Sequence, residues 1–149
     1  MQENLVFDGK RTSDDRATQT IVVFDGVCNL CNSAVNFLID HDRTGTLLFT
    51  SFQSPTGLRL LAEHGITTAP ETIYVIHANM LYCESAAVLV LAKFLQPWWL
   101  RFCAYAGYIL PRFIRDALYR VVARNRYRWF GKRDTCRLPT AEEYSRFLG

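Results

Sequence analysis

The stretch Ile21-Val22-Val23-Phe24-Asp25-Gly26-Val27-Cys28-Asn29-Leu30-Cys31 decides how the chain is read. Its first four residues are β-branched or aromatic and apolar without alternation, as in a strand buried on both faces. After a short polar loop, Cys28, Cys31, Ala34, Val35 and Leu38 recur at helical spacing, with Phe37 and Ile39 widening the face, to roughly Asp40. A Cys-x-x-Cys pair therefore stands where a buried strand hands over to a helix.

That placement has chemical content. Residues three apart share one helix face, so the two sulfurs come within disulfide reach. Cys28 lies nearest the unpaired N–H groups and the positive end of the helix dipole, which favour its thiolate. The expectation is Cys28 as nucleophile, with Cys31, deeper along the helix, resolving the mixed disulfide. Gly26 lets the loop turn tightly and gives a substrate backbone close access. Asp25 has two open roles: to accept or relay a proton during resolution, or only to hold loop N–H groups.

Outward from this stretch, Leu47–Phe52 reads as a second strand. A helix runs from Pro55 through His64, with Gly65 as its stop. Thr72–His77 and Met80–Cys83 form a hairpin about Ala78-Asn79. Ser85 is placed to cap a helix to about Leu95, with Pro97 beyond. The order β-α-β-α-β-β-α implies parallel pairing through right-handed crossovers, then an antiparallel hairpin. The fold class is α/β, a mixed four-stranded sheet in a thioredoxin-like arrangement. From about residue 98 the chain is helical. Trp98–Tyr108 is aromatic and apolar, with Trp98-Trp99 expected to pack the C-terminal helices onto the sheet. After Pro111, Phe113, Ile114, Ala117, Leu118, Val121 and Val122 make an apolar stripe opposite Arg112, Arg115, Arg120 and Arg124. Arg126–Cys136 reads as a basic-aromatic loop, and Thr140 opens a short terminal helix with a capping box.

The 149 residues, half of them hydrophobic, favour one globular domain over 21–149 behind a mobile polar leader at 1–20. The leader lacks an apolar core, so an export signal is not expected. Val88–Leu110, the most apolar stretch, is broken by Lys93, Pro97 and Arg101; it fails as a membrane span and leaves peripheral contact open. Five cysteines without an export signal favour a reducing, cytoplasmic setting over a disulfide scaffold. The net charge is +3 but uneven: residues 101–137 hold ten Lys or Arg against Asp116 and Asp134.

Two other chemistries fit worse. A structural zinc needs about four ligands, and Cys83, Cys103, Cys136, His41, His64 and His77 supply no second close pair; no metal or cofactor is expected. Val-Phe-Asp-Gly after a strand resembles a phosphatase motif, but Val23 stands where its first aspartate belongs.

Val23–Cys31, together with Glu84-Ser85-Ala86-Ala87 and Arg126-Tyr127-Arg128-Trp129-Phe130-Gly131-Lys132-Arg133-Asp134-Thr135-Cys136, resembles the DCC-type thiol-disulfide oxidoreductase family over roughly Ile21 to Pro139. The resemblance implies a thioredoxin-like fold and a protein-disulfide reductase activity, with Asp25, Cys28 and Cys31 as the naming residues. Its partners would be a disulfide-bearing protein or small disulfide and a separate thiol reductant, without nucleic acid. Pro70 stands near the place where thioredoxins carry a cis-proline facing the cysteines, although a plain turn proline is favoured. Gly26, Ser85, Arg126, Trp129 and Cys136 complete the residues that could line the site. Helix capping is the favoured role for Ser85, a structural one for Cys136, and core positions for Cys83 and Cys103. The alternative function is a redox-sensing or non-catalytic binding module that presents the basic-aromatic C-terminal surface.

Overall fold

The computed structural model describes residues 19–68, 72–96, 98–132, 134 and 139–148. The expected leader, Pro70 and Cys136 lie outside the described residues, except that Thr20 already belongs to the first strand. Strands β1 (Thr20–Phe24), β2 (Leu47–Ser51), β3 (Tyr74–His77) and β4 (Met80–Cys83) form one sheet in the order β2-β1-β3-β4. β1 runs parallel to β2 and antiparallel to β3, which runs antiparallel to β4. This is the mixed four-stranded α/β sheet expected, and it is consistent with a thioredoxin-like fold, but the second strand-helix-strand unit does not give the parallel pairing expected: β3 runs antiparallel to β1, and only β1 and β2 pair in parallel. All five residues of β1 are buried, because it lies between two neighbours and is covered on both faces.

The alternation of side chains divides the core. Val22 and Phe24 point to one face, with Leu47, Phe49 and Val75. There they meet helix α1 (Asn29–His41) through Val35 and Leu38, and helix α3 (Glu84–Ala92) through Ala87, Val90 and Leu91. Ile21, Val23 and Ile76 point the other way, onto Leu60 and Leu61 of helix α2 (Pro55–Glu63). The β3–β4 turn is Ala78-Asn79, with φ of 49° and 60°, the left-handed pair that a two-residue hairpin requires. At the sheet edge, Phe147 packs on Phe49 and Phe24, and the Leu148 N–H donates to the Phe49 carbonyl (2.8 Å). The expected capping box is present: Thr140 N–H donates to Glu143 (3.0 Å) and Glu143 N–H to Thr140 (3.4 Å). It leads into only a single 3-10 turn, Tyr144–Arg146.

The C-terminal part is helical, as α4 (Trp98–Ile109) and α5 (Arg112–Phe130), but it departs from expectation in three ways. Both helices pack mainly on α3, and α5 also packs on α1. α3 is apolar around its whole circumference and buries six of its nine residues, so it is the layer between sheet and extension. Trp98 and Trp99 are exposed, and the small or aliphatic side of α4 faces inward instead. Third, Arg126–Phe130 is not loop but the last turn and more of α5, because Arg126 has a buried acidic partner to reach from a helix face.

Ser85 does not cap α3. Cys83 holds the cap position without a side-chain bond, and the Ser85 hydroxyl donates to Asp116 of α5. Glu84, at φ +53°, is held by both carboxylate oxygens on Arg120 (2.8 and 3.2 Å). Ties to α5 thus fix the start of α3. Cys83 is half-buried and Cys103 exposed, so neither is the core residue expected.

α2 begins beneath β2, where Ser54 accepts the Gly57 N–H (3.0 Å) and Pro55 takes the first turn. A Cβ on Gly57 would lie 2.1 Å from the Ser51 carbonyl oxygen, a backbone atom that cannot swing aside. Gly57→Ala is expected to destabilise the fold by about 1–3 kcal/mol through this overlap. Urea denaturation of the variant checks it.

Candidate active site

The turn after β1 is built from main-chain bonds before any sulfur is considered. Cys28 N–H donates to the Asp25 carbonyl (3.2 Å), and Val27 N–H to Asp25 Oδ1 (3.1 Å). Asn32, buried one turn into α1, donates from Nδ2 to the carbonyls of Gly26 and Cys28 (both 2.9 Å). Gly26 N–H donates to Gln53 Oε1 (3.0 Å). Gly26 does not take the left-handed backbone; its part is to be held from both sides by side-chain amides.

Cys28 is the N-cap of α1. Its Sγ accepts the N–H of Cys31 (3.4 Å), the bond a serine oxygen makes at such a position. Cys31 is pushed up to about 12, first by burial, then by its hydrogen bond to Cys28 and the Cys28 charge; Arg126 and the Asp25 backbone pull the other way. The Cys31 thiol therefore keeps its proton and points it at Cys28. Burial is opposite to expectation: Cys28 is 0% exposed and Cys31 half-buried. The cause is a strap over the helix start. α5 ends at Gly131, whose φ of +82° turns the chain back. Asn29 Nδ2 then donates to the Phe130 carbonyl (2.9 Å) and Asn29 N–H to the Gly131 carbonyl (3.4 Å), and Lys132 forms an antiparallel bridge with Cys28.

Asp25 lies beneath the dithiol at 2% exposure. Its carboxylate accepts from Val27 N–H, from Gln53 Nε2 (2.7 Å), from Arg126 Nη2 (3.4 Å) and from the Tyr127 hydroxyl. Burial and the Asp25 bond both raise Tyr127, which stays the protonated donor. Burial works against the Arg126 charge, but Tyr127 and both sulfurs hold it cationic and its affinity for the proton is raised overall. The guanidinium also lies over the Tyr127 ring (4.8 Å). Tyr119, midway along α5, accepts from the Thr72 hydroxyl (2.8 Å) and the Ile73 N–H (3.3 Å), and burial raises it above its ordinary value.

The fold therefore brings Asp25, Gly26, Cys28, Cys31 and Arg126 together. Ser85 is committed to Asp116, and Trp129 is exposed near the end of α5. Gln53, Asn32, Asn29 and Tyr127 escaped the sequence reading. Only Tyr127 carried a signal, as the neighbour of Arg126 in a quoted motif. Among the described residues, no group of three or more His, Cys, Asp or Glu is placed to hold a metal ion.

The family model for "DCC1-like thiol-disulfide oxidoreductase" matches residues 22–132. The chain belongs to the DCC1-like thiol-disulfide oxidoreductase family. It is 38% identical over 137 residues to "Uncharacterized protein YuxK" of Bacillus subtilis (strain 168), covering 91% of this chain and 98% of that one. It is 41% identical over 123 residues to "DCC family protein At1g52590, chloroplastic" of Arabidopsis thaliana, covering 79% and 69%. No solved structure matches it. The matched region of this DCC1-like chain ends at Lys132, the residue bridged to Cys28, so it includes α4, α5 and the start of the strap.

The Cys31 shift has a sign that can be measured. A thiol whose folded value is raised above its ordinary 9.0 stabilises the fold below that pH and loses the contribution as pH rises toward about 12. Stability is expected to fall between pH 9 and 11, and Cys31→Ala should reduce that slope, leaving the part due to Cys83, Tyr119 and Tyr127, which are also raised. Urea midpoints across the range give the comparison.

Proposed function

We propose that this DCC1-like protein is a protein-disulfide reductase whose attacking group is Cys28. The observation that carries the reading is the pairing at the helix cap: Cys28 Sγ receives the Cys31 N–H and thiol, while Cys31 holds its proton. In the first step the Cys28 thiolate attacks one sulfur of the substrate disulfide. The Cys28–substrate bond forms, the substrate disulfide breaks, and the departing sulfur leaves as thiolate and takes up a proton. In the second step Cys31 gives up its proton and attacks the Cys28 sulfur. The second substrate thiol leaves, and Cys28 and Cys31 end oxidised as a disulfide. A separate thiol system returns two electrons, and no bound cofactor is required.

The high value at Cys31 is consistent with this order. Two of its causes are the hydrogen bond to Cys28 and the charge of Cys28. Both vanish once Cys28 is tied in a mixed disulfide, so Cys31 ionises more readily when it is needed. Arg126 remains beside it to favour the thiolate. Asp25 serves as a positioning residue: four donors occupy its two oxygens, leaving it to hold the loop and not to carry the proton. Access requires the Phe130–Lys132 strap to yield, and a substrate strand would take over its place against Cys28. A reducing compartment such as the cytoplasm suits a dithiol that must be returned to the reduced state.

The test is reduction of insulin disulfides with dithiothreitol as donor. Cys28→Ser is expected to remove activity above background. Cys31→Ser should accumulate a mixed disulfide through Cys28, visible by intact-protein mass spectrometry. Unchanged turnover in Cys28→Ser, or trapping through Cys31 in place of Cys28, would overturn the assignment.

A further inference from the structure

The two C-terminal helices are amphipathic with the apolar side outward. In α5 the buried residues are Asp116 and Arg126, which share a face with half-buried Tyr119 and Ala123. Phe113 (73% exposed), Leu118 and Val121 face away from the protein. α4 buries no residue fully. It meets α3 through its small side: a Cβ on Gly107 would lie 3.6 Å from Leu89, Ala104 lines a shallow crevice together with Leu89 and Ala92, and Leu100 reaches the main core. Trp98 (77% exposed), Phe102, Tyr105 and Ile109 (84% exposed), spaced four, three and four apart, form the outer stripe. A fold that hides an aspartate and an arginine while exposing phenylalanine, isoleucine and tryptophan along two adjoining helices has a second surface to satisfy.

The charge on this surface identifies its chemistry. Residues 98–130 contain seven arginines and one acid, Asp116, which is buried and held by Ser85 and Arg112. Arg126 is buried on Asp25, and Arg112 and Arg120 lie on Asp116 and Glu84, but Arg124 and Arg128 stand exposed beside the apolar stripe of α5; a second copy would set these cations against their own kind, so self-association through this face is opposed. An anionic partner is favoured. The stripes follow two helices and carry Trp98, Trp99, Tyr105 and Tyr108, side chains with an apolar body and a polar edge, near basic groups able to reach phosphates. This is the composition of helices that lie in a bilayer interface. No helix among the described residues is long and apolar enough to cross a membrane, so the contact would be one of lying on it.

We infer that the outer face of α4 and α5 docks this protein on an anionic lipid surface, through the apolar stripes inserted among acyl chains and arginines on headgroup phosphates. The docking is independent of the dithiol reading and stands or falls separately from it.

The experiment is co-sedimentation of the full chain with vesicles of equal parts phosphatidylcholine and phosphatidylglycerol, beside phosphatidylcholine alone. Binding to the anionic vesicles is expected, weakened by salt and about tenfold or more weaker on the neutral ones. Arg124→Glu with Arg128→Glu should lower anionic binding by about tenfold or more. Trp98→Ser with Phe113→Ser should abolish the fraction retained at high salt. All four positions are exposed, and circular dichroism confirms that each variant is folded. Three results overturn the inference: no binding to either vesicle; equal binding to both that ignores the arginine variants; or a concentration-dependent dimer that Phe113→Ser dissolves. Failure on vesicles with salt-dependent binding to polyglutamate would also overturn it, assigning the face to an acidic protein.

Discussion

The buried carboxylate of Asp25 is the constraint on which the rest of the site depends. A carboxyl group at 2% exposure is tolerated only if its lost hydration is replaced, and its donors come from three distant parts of the chain. Val27 belongs to its own loop, Gln53 follows β2, and Arg126 and Tyr127 lie at the end of α5. Gln53 uses its other end to hold the Gly26 N–H. One side chain thereby closes the loop that presents Cys28, fixes that loop to the neighbouring strand, and draws a helix from about a hundred residues away on top of it. Removing one partner of such a buried pair typically costs about 3–5 kcal/mol, because the other charge is left without compensation.

The arrival of α5 has two consequences for the sulfurs. Arg126 places a cation near Cys31, and the chain leaving the helix lays Gly131 and Lys132 over Cys28. Cys28 is thus covered by the protein's own backbone, in an antiparallel bridge that resembles one rung of a sheet. Under the proposed reading, a substrate offering an extended strand replaces that rung at little loss in hydrogen bonds.

Much of the fold was legible because local and global signals agreed. The unbroken apolar run Ile21–Phe24 identified the central strand, Ala78-Asn79 identified the hairpin, and helical spacing from Cys28 placed the dithiol at a cap. The parts that were not legible all depend on a partner far away in sequence. Ser85 looks like a cap until Asp116 is placed beside it. Gln53 is an unremarked polar residue after a strand until Asp25 and Gly26 come within reach. The stripe Phe113–Val122 reads as a core face because apolar periodicity shows that a helix has two sides, not which one turns inward. Here the inward side was chosen by Asp116 and Arg126, each with a specific polar partner to meet.

The central claim is that Asp25 couples α5 to the dithiol loop as one unit. A double-mutant cycle between Asp25→Ala and Tyr127→Phe, read by urea denaturation, addresses it most directly. A coupling energy of about 1 kcal/mol or more is expected, since either single change already breaks the shared hydrogen bond. Additive losses within about 0.3 kcal/mol would contradict it, by showing that the two side chains act on the fold independently.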